Sequence, residues 1–349
     1  MTLKRRDVLL GLTSLSLPLI AASCTNNANQ TAENNAASPA AEKSAASPAA
    51  SSASAAGGTV RFGYQKSTIL LKAHGTIEKR LNAEGVKVDW QEFPAGPPLL
   101  EALNAGAIDI GPVGESPPIF AQAAGADLVY AAAIAPNPKG SGLLVLKDSP
   151  IKTLADLKGK KVTFAKGSSA NYLTVQLLEK AGLQFTDIEP IYLTPADARA
   201  AFVQGNADAW VIWDPFYAAA ETGIESRVIA DGEGLNKLGG YYITSRKFAL
   251  EQPKVLKAIL EEVRDLENWS DQHRDEVTSV LVEALKLDAG AVKKATERRK
   301  FGLGPVTDDL IAEQQKVADV YYKLKLIPKP INIRDTVLPP DKVAAYALS

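Results

Sequence analysis

Two stretches of this chain, offset by roughly 100 residues, read as copies of one another. "VRFGYQKS" from Val60 aligns with "VTFAKGSS" from Val162, and "ALNAGAIDIGPVGE" from Ala102 aligns with "AFVQGNADAWVIWD" from Ala201. Gly106 then matches Gly205, Asp109 matches Asp208 and Glu115 matches Asp214. Each copy alternates strand and helix. In the first, "TVRFGY", "VKVDWQEF" and "AIDIGPV" read as strands around helices that carry Ile69, Leu70, Ala73, Ile77 and Leu81 and then residues 97–104. In the second, "KKVTFAK", "IEPIYL" and "ADAWVIW" enclose the helices "SANYLTVQLLEKAG" and "PADARAAFV". A β-α-β-α-β unit builds a parallel sheet flanked by helices, so the fold class is α/β with two similar lobes, each sheet mostly parallel.

Beyond "YYITSRKF" the chain is mainly helical, with apolar stripes at Leu256, Ile259, Leu260, Val263 and Leu266, at Val280, Leu281 and Leu285, and at Ile311, Val317 and Val320. This part is expected to return to the first lobe. Residues 59–144 and 240–349 then form lobe 1 and residues 145–239 lobe 2, with two crossings and a hinge between them.

The start of the chain belongs to export rather than to the fold. Arg5 and Arg6 precede an apolar run, residues 8–22, interrupted by Pro18, which is too short to span a bilayer that needs about 20 apolar residues. "KRRDVL" also resembles a twin-arginine signal, so either export route fits. Cys24, the one cysteine of the chain, ends "IAASC", which resembles a lipoprotein processing site. Ordinary cleavage after Ser23 with an incidental thiol is the alternative; a lone thiol in an oxidising compartment favours acylation. Residues 1–24 are read as a lipoprotein signal peptide and residues 25–58, with "AASPAA" at Ala36 and Ala45, as a disordered tether that holds the globule to a membrane.

Composition excludes several functions. With 39 basic and 40 acidic residues and no basic cluster, nucleic acid is not an expected partner. Without Cys24, the globule has no thiol and only His74 and His273, so no metal site, cofactor or catalytic residue is expected. Neither a Gly-x-Ser-x-Gly elbow nor a Gly-rich phosphate loop occurs.

Open α/β sheets bind ligands outside the carboxyl ends of their strands. The internal alignment places Gly114, Glu115 and Ser116 at one such end, and Trp213, Asp214 and Pro215 at the other. Helices open there at Ser67 or Thr68, Ser116, Ser168 or Ser169, and Thr194, and helix starts offer unpaired N–H groups to anions. Capping explains each residue singly; their convergence points to a cleft. Gln65, Lys66, Ser116, Ser168, Ser169 and Asn171 suit a tetrahedral anion, with Lys66, Lys166 and Arg199 as cations and Trp213 as an apolar wall. Such donors do not titrate near neutrality, so affinity should be flat from about pH 6 to 8, and should strengthen as pH falls only if the anion raises the carboxyl of Glu115 or Asp214. Glu115 and Asp214 fit less easily: they hold those cations, meet a cationic part of the ligand, or latch the lobes.

"GYQKST", "EFPAGPPLLEALNAGAIDIG", "GESPPIFAQAAGADL", "LADLKGKKVTFAKGSSANYL", "TDIEPIYLTPADARAAFVQGNADAWVIWDPF" and "IPKPINIRD" resemble the aliphatic sulfonate-binding proteins of ABC importers, over nearly all of residues 59–337. "YLTPADARAAF" and "WDP" separate these from the wider group that binds taurine, nitrate or thiamine precursors. The resemblance implies a type II periplasmic-binding-protein fold, a monomer that closes on an organosulfonate and delivers it to a membrane permease with its ATPase. It carries cleft roles to Gln65, Glu115, Lys166, Gly167, Ser168, Ser169, Asp197, Arg199, Trp213 and Asp214, and to Arg298. The sequence departs from the family at "RKFGLG" after Arg298 and at Ala170 and Asn171 after "KGSS", which leaves the preferred sulfonate open. Taurine, nitrate or another small anion in the same fold is the alternative cargo, and a thiamine-pyrimidine-synthesis-like enzyme is a third reading.

Overall fold

A computed structural model describes residues 58–348, Asn236 excepted. The signal peptide, Cys24 and the tether therefore lie outside the described residues, save Gly58.

The chain opens with β1 (Thr59–Tyr64), α1 (Leu70–His74), α2 (Thr76–Ala83), β2 (Lys87–Glu92), α3 (Gly96–Asn104), β3 (Ile110–Val113), α4 (Ser116–Ala123) and β4 (Leu128–Ile134). It continues through β5 (Ser141–Leu146), β6 (Lys161–Phe164), α5 (Ser169–Lys180), β7 (Glu189–Tyr192), α6 (Pro195–Val203), β8 (Ala209–Trp213), α7 (Phe216–Gly223) and β9 (Ser226–Asp231). Last come β10 (Gly240–Ser245), α8 (Arg246–Glu251), α9 (Pro253–Gln272), α10 (Arg274–Leu285), α11 (Ala289–Arg298), β11 (Leu303–Gly304), α12 (Asp308–Lys323) and α13 (Pro340–Val343). The helix read across residues 69–81 is two helices, because Gly75 sits at φ 75° and turns the chain between them.

Two sheets result, ordered β11-β4-β10-β3-β1-β2 and β7-β6-β8-β5-β9. Both are mixed, with most strands of each sheet running in one direction as the fold class expected. β1 pairs parallel with β2 and β3, and β6 with β7 and β8, as the repeat requires. β10 runs antiparallel to β3 and β4, and β5 antiparallel to β8 and β9. The reason is the crossing: β5 and β10 each enter a sheet from the other lobe, at the end where that sheet's repeat strands finish. The first crossing spans residues 135–140 and the second residues 232–239, so the boundary expected at residue 144 would cut through β5, which belongs wholly to the second sheet. Backbone bonds tie the crossings side by side, Gly232 N–H donating to Pro138 O at 3.1 Å.

The repeat has a structural basis. Asp109 Oδ2 accepts the Arg61 N–H at 2.8 Å, and Asp208 Oδ2 accepts the Lys161 N–H at the same distance. Each aspartate fixes the register of the last strand of its repeat against the first, β3 against β1 and β8 against β6. Gly106 (φ 69°) and Gly205 (φ 74°) supply the left-handed turn just before.

Apolar residues cover both faces of each sheet. In lobe 1, Phe62, Ile77, Leu81, Leu256, Ile259 and Val263 pack on one side, and Leu99, Leu103, Ile108, Ile243 and Tyr321 on the other. β8 shows why its run reads as continuous: Ala209 and Val211 face the α5 side, Trp210 and Ile212 the α6 and α7 side, so a strand buried on both faces carries no polar alternation.

Candidate functional site

A cavity of about 150 Å³ lies at the carboxyl ends of β1, β3, β6 and β8, between the sheets. Gln65, Ser67 and Thr68 line it after β1, and Gly96 does so where α3 begins. Pro112 and Val113 end β3 and Gly114 and Glu115 follow it, with Pro117 beside them. Lobe 2 contributes Ser168, Ser169 and Trp213; Ile134, Asn137, Gly140, Ser141, Leu238 and Gly239 come from the crossings and their flanks.

The lobes touch across this cleft. A Cβ on Gly114 would lie 2.5 Å from Ser169 Oγ, and one on Gly167 would lie 3.2 Å from the Phe120 ring, so glycine is what lets the two helix starts approach. Tyr172 of α5 packs edge-on against Tyr321 of α12, ring centres 5.8 Å apart.

Of the residues singled out by sequence, Gln65, Gly114, Glu115, Ser168, Ser169 and Trp213 line the cavity. Gln65 Nε2 donates to Pro112 O at 2.9 Å, which anchors its amide at the wall. Ser168 stands at the N-cap of α5, but its hydroxyl donates back to Ala165 O at 2.7 Å. Gly167 and Asn171 form the loop behind: Gly167 N–H donates to Asn171 Oδ1 at 3.1 Å, and the buried Asn171 Nδ2 has no partner. Ser116 is buried one residue beyond the wall, its hydroxyl 3.1 Å from Glu115 Oε1 and 2.7 Å from Tyr321 Oη.

The cations stand elsewhere. Lys66 pairs with Glu92 at 3.6 Å on the lobe 1 rim. Lys166 is exposed, its ammonium 5.5 Å over the Tyr192 ring. Arg199 and Asp197 are exposed on α6, where Asp197 Oδ2 accepts from Thr194 Oγ1 at 2.7 Å and closes the helix cap. None of these four lines the cavity. Glu115 is the one ionisable side chain among its lining residues.

The two acidic positions that looked equivalent diverge. Asp214 is held by Arg298, whose Nε donates to Oδ2 at 2.6 Å and whose Nη2 donates to Oδ1, while the Ala218 N–H adds a bond at 3.0 Å. Arg298 Nη1 also reaches Glu221 at 2.7 Å. Burial pushes the Asp214 carboxyl above its ordinary range, and Arg298 and Ala218 pull against that. The ion pair fastens α11 to α7 of lobe 2. Glu115 has no such partner. It is fully buried, Oε2 meets no donor, and burial pushes its carboxyl up to about 7, with its own backbone and the Ser116 hydroxyl pulling back.

Sequence reasoning missed the second layer behind Glu115. Gln314 Nε2 donates to both Glu115 O and Tyr130 Oη, the latter at 3.1 Å, and Tyr172, Tyr241 and Tyr321 lie around the carboxyl. Asn137, Ser141, Leu238 and Gly239 were also missed; the Pro and Gly breaks of "APNPKGSG" and "KLGG" were the available signal.

Among the described residues no group of three or more His, Cys, Asp or Glu is placed to hold a metal ion, and no helix is long and apolar enough to cross a membrane. The arrangement offers hydroxyl, amide and indole groups around one carboxyl.

Comparison with known proteins places this geometry. The family described as NMT1/THI5 like matches residues 81–268. An aliphatic sulfonates-binding protein of Escherichia coli K12 is 45% identical over 293 residues, 83% of this chain and 91% of its own. Among solved structures, the alkanesulfonate-binding protein SsuA from Xanthomonas axonopodis pv. citri bound to MOPS superposes with a TM-score of 0.78 at 40% identity, over 80% of this chain and 98% of that one. The periplasmic aliphatic sulphonate binding protein SsuA from Escherichia coli gives 0.71 at 45% identity, over 81% and 92%. The chain belongs to the NMT1/THI5-like family and, within it, to the aliphatic sulfonate-binding proteins.

Proposed function

We propose that this protein is the solute-binding component of an ABC importer, which captures aliphatic sulfonates between its lobes and delivers them to a membrane permease and its ATPase. The observation that carries this reading is the cleft itself, built at the strand ends of both lobes in a chain of this family, with donors on its walls and no nucleophile. Gln65, Ser168, Ser169 and the start of α5 are assigned to the sulfonate oxygens, which only accept hydrogen bonds, and Trp213 to the aliphatic tail. The protein acts as an exported monomer at the outer face of the cell membrane, anchored through an acylated Cys24. It is a binding protein and not an enzyme.

Thermal shifts across alkanesulfonates, taurine, nitrate, sulfate and pyrimidines test the cargo. A ligand at 100 times its Kd stabilises the folded state by about 2.7 kcal/mol. Shifts with alkanesulfonates are expected; a shift with nitrate or a pyrimidine and none with any sulfonate overturns the reading. Cys24→Ser should leave those shifts unchanged and release the protein from membranes, or leave it unprocessed.

A further inference from the structure

An anion site without a cation, walled by one buried carboxyl, sets a charge problem. An ionised Glu115 would repel a sulfonate at short range in a medium that screens poorly. The start of α4 adds little to offset this, since Pro117 and Pro118 remove two of its first N–H groups. We infer that Glu115 stands beside the bound ligand as a neutral carboxylic acid, so that capture of the anion takes up one proton from solvent. The inference rests on the sulfonate reading above, in which the anion meets the donors of the wall and no negative charge behind them.

Burial of Glu115 favours the neutral form, and only its own backbone and the Ser116 hydroxyl pull the other way. Oε1 accepts from the Ser116 hydroxyl, and Oε2 is buried with no partner, a cost that weighs more on a carboxylate than on an acid. Tyr241 of β10, Tyr172 of α5 and Tyr321 of α12 lie close enough to feel its charge, Tyr130 of β4 stands behind Gln314, and burial raises all four hydroxyls so that they stay neutral. Gln314 of α12 contributes an amide, bonded to the Glu115 backbone. Lys66 is committed to Glu92, Lys166 to the Tyr192 face and Arg298 to Asp214; no Lys, Arg or His is paired with Glu115 among the described residues. The rise of the Glu115 carboxyl to about 7 has the same cause, and an adjacent anion adds to it. The balance is one carboxylate, one sulfonate and one proton combining into a neutral acid beside the bound anion.

Calorimetric titration of methanesulfonate in Tris and in phosphate, buffers of different ionisation enthalpy, counts the protons. At pH 8 uptake should approach one per ligand and at pH 6 fall to a small fraction, with affinity dropping about tenfold per pH unit above pH 7. Glu115→Gln, which carries no titrating proton, should bind with an affinity that does not change from pH 6 to 8 and with no uptake. Binding of the unaltered protein without proton uptake at pH 8, or uptake at pH 8 that persists in Glu115→Gln, overturns the inference. If no alkanesulfonate binds at any pH, the cargo reading falls. Glu115 is then judged in the ligand-free protein by its infrared carboxylic-acid C=O band: a band lost in Glu115→Gln and persisting to about pH 7 supports a neutral acid, and its absence at pH 6 overturns it.

Discussion

Arg298 Nε lies 2.6 Å from Asp214 Oδ2, and the two residues come from segments 84 positions apart. Asp214 ends β8 of lobe 2, whereas Arg298 closes α11, a helix that follows the lobe 1 strands in the chain. Both side chains are only 14% exposed, and Glu221, 12% exposed, shares the guanidinium. Removing the arginine leaves Asp214 buried without its cation, while Glu221 keeps Lys294 at 2.8 Å. Arg298→Ala should therefore cost about 3–5 kcal/mol, read as a lower urea midpoint, and Asp214→Asn in the same chain should recover part of it. Unchanged stability would mean that α11 is fastened to lobe 2 by packing alone.

Gly114 tests how closely the lobes must meet. An alanine methyl there would sit 2.5 Å from Ser169 Oγ and 3.1 Å from Ser169 Cβ, an overlap present only while the helix starts are apposed. Overpacking of this kind costs about 1–3 kcal/mol, so Gly114→Ala should weaken ligand binding by roughly tenfold to a hundredfold with a smaller loss of thermal stability. Adding Ser169→Ala removes the Oγ clash and should restore part of the affinity, as titration calorimetry would show.

What was legible in the sequence follows range of interaction. The paired aspartates Asp109 and Asp208, the glycines before them and the apolar stripe of α9 are local signals, and each lands where expected. β4, "LVYAAAI", has no alternation because both its faces are buried, and it was missed. Strand direction was illegible for β5 and β10, since it depends on which lobe the chain arrives from. The cations stand off the cavity lining for a geometric reason: Lys66 and Lys166 lie within two residues of lining ones in sequence, but on extended or turning backbone successive side chains face different ways. The tyrosine layer around Glu115 was out of reach altogether, because Ser116 and Tyr321 meet across 205 residues.

Glu115 should also leave its mark on stability. Its carboxyl ionises near 4.5 in the unfolded chain and at about 7 when folded, so between those values the folded state binds more protons. Stability is then fully present below about pH 4.5, falls as pH rises through that window, and levels off above 7, by about 3 kcal/mol in total. Glu115→Gln should lack this decline: relative to wild type, its melting temperature should rise progressively from pH 5 to pH 8. Parallel melting profiles of the two proteins would show that the carboxyl is solvated and ionised in the fold.

Lys166 and Arg199 provide the contrasting case. Both are exposed, both stand outside the cavity lining, and Lys166 rests on the Tyr192 ring. A charge in that position acts on an incoming anion through water, where at physiological salt the field decays over about 8 Å. Its effect belongs to encounter rather than to the bound state. Lys166→Ala and Arg199→Ala should accordingly change Kd by less than about threefold at 0.15 M salt, with any slowing of association disappearing as salt is raised. Stopped-flow binding followed by tryptophan fluorescence separates the two rates, since Trp213 lines the cavity. A salt-independent loss of affinity of tenfold or more in either variant would place that side chain on the sulfonate, and the neutral-wall description of the cleft would have to be abandoned.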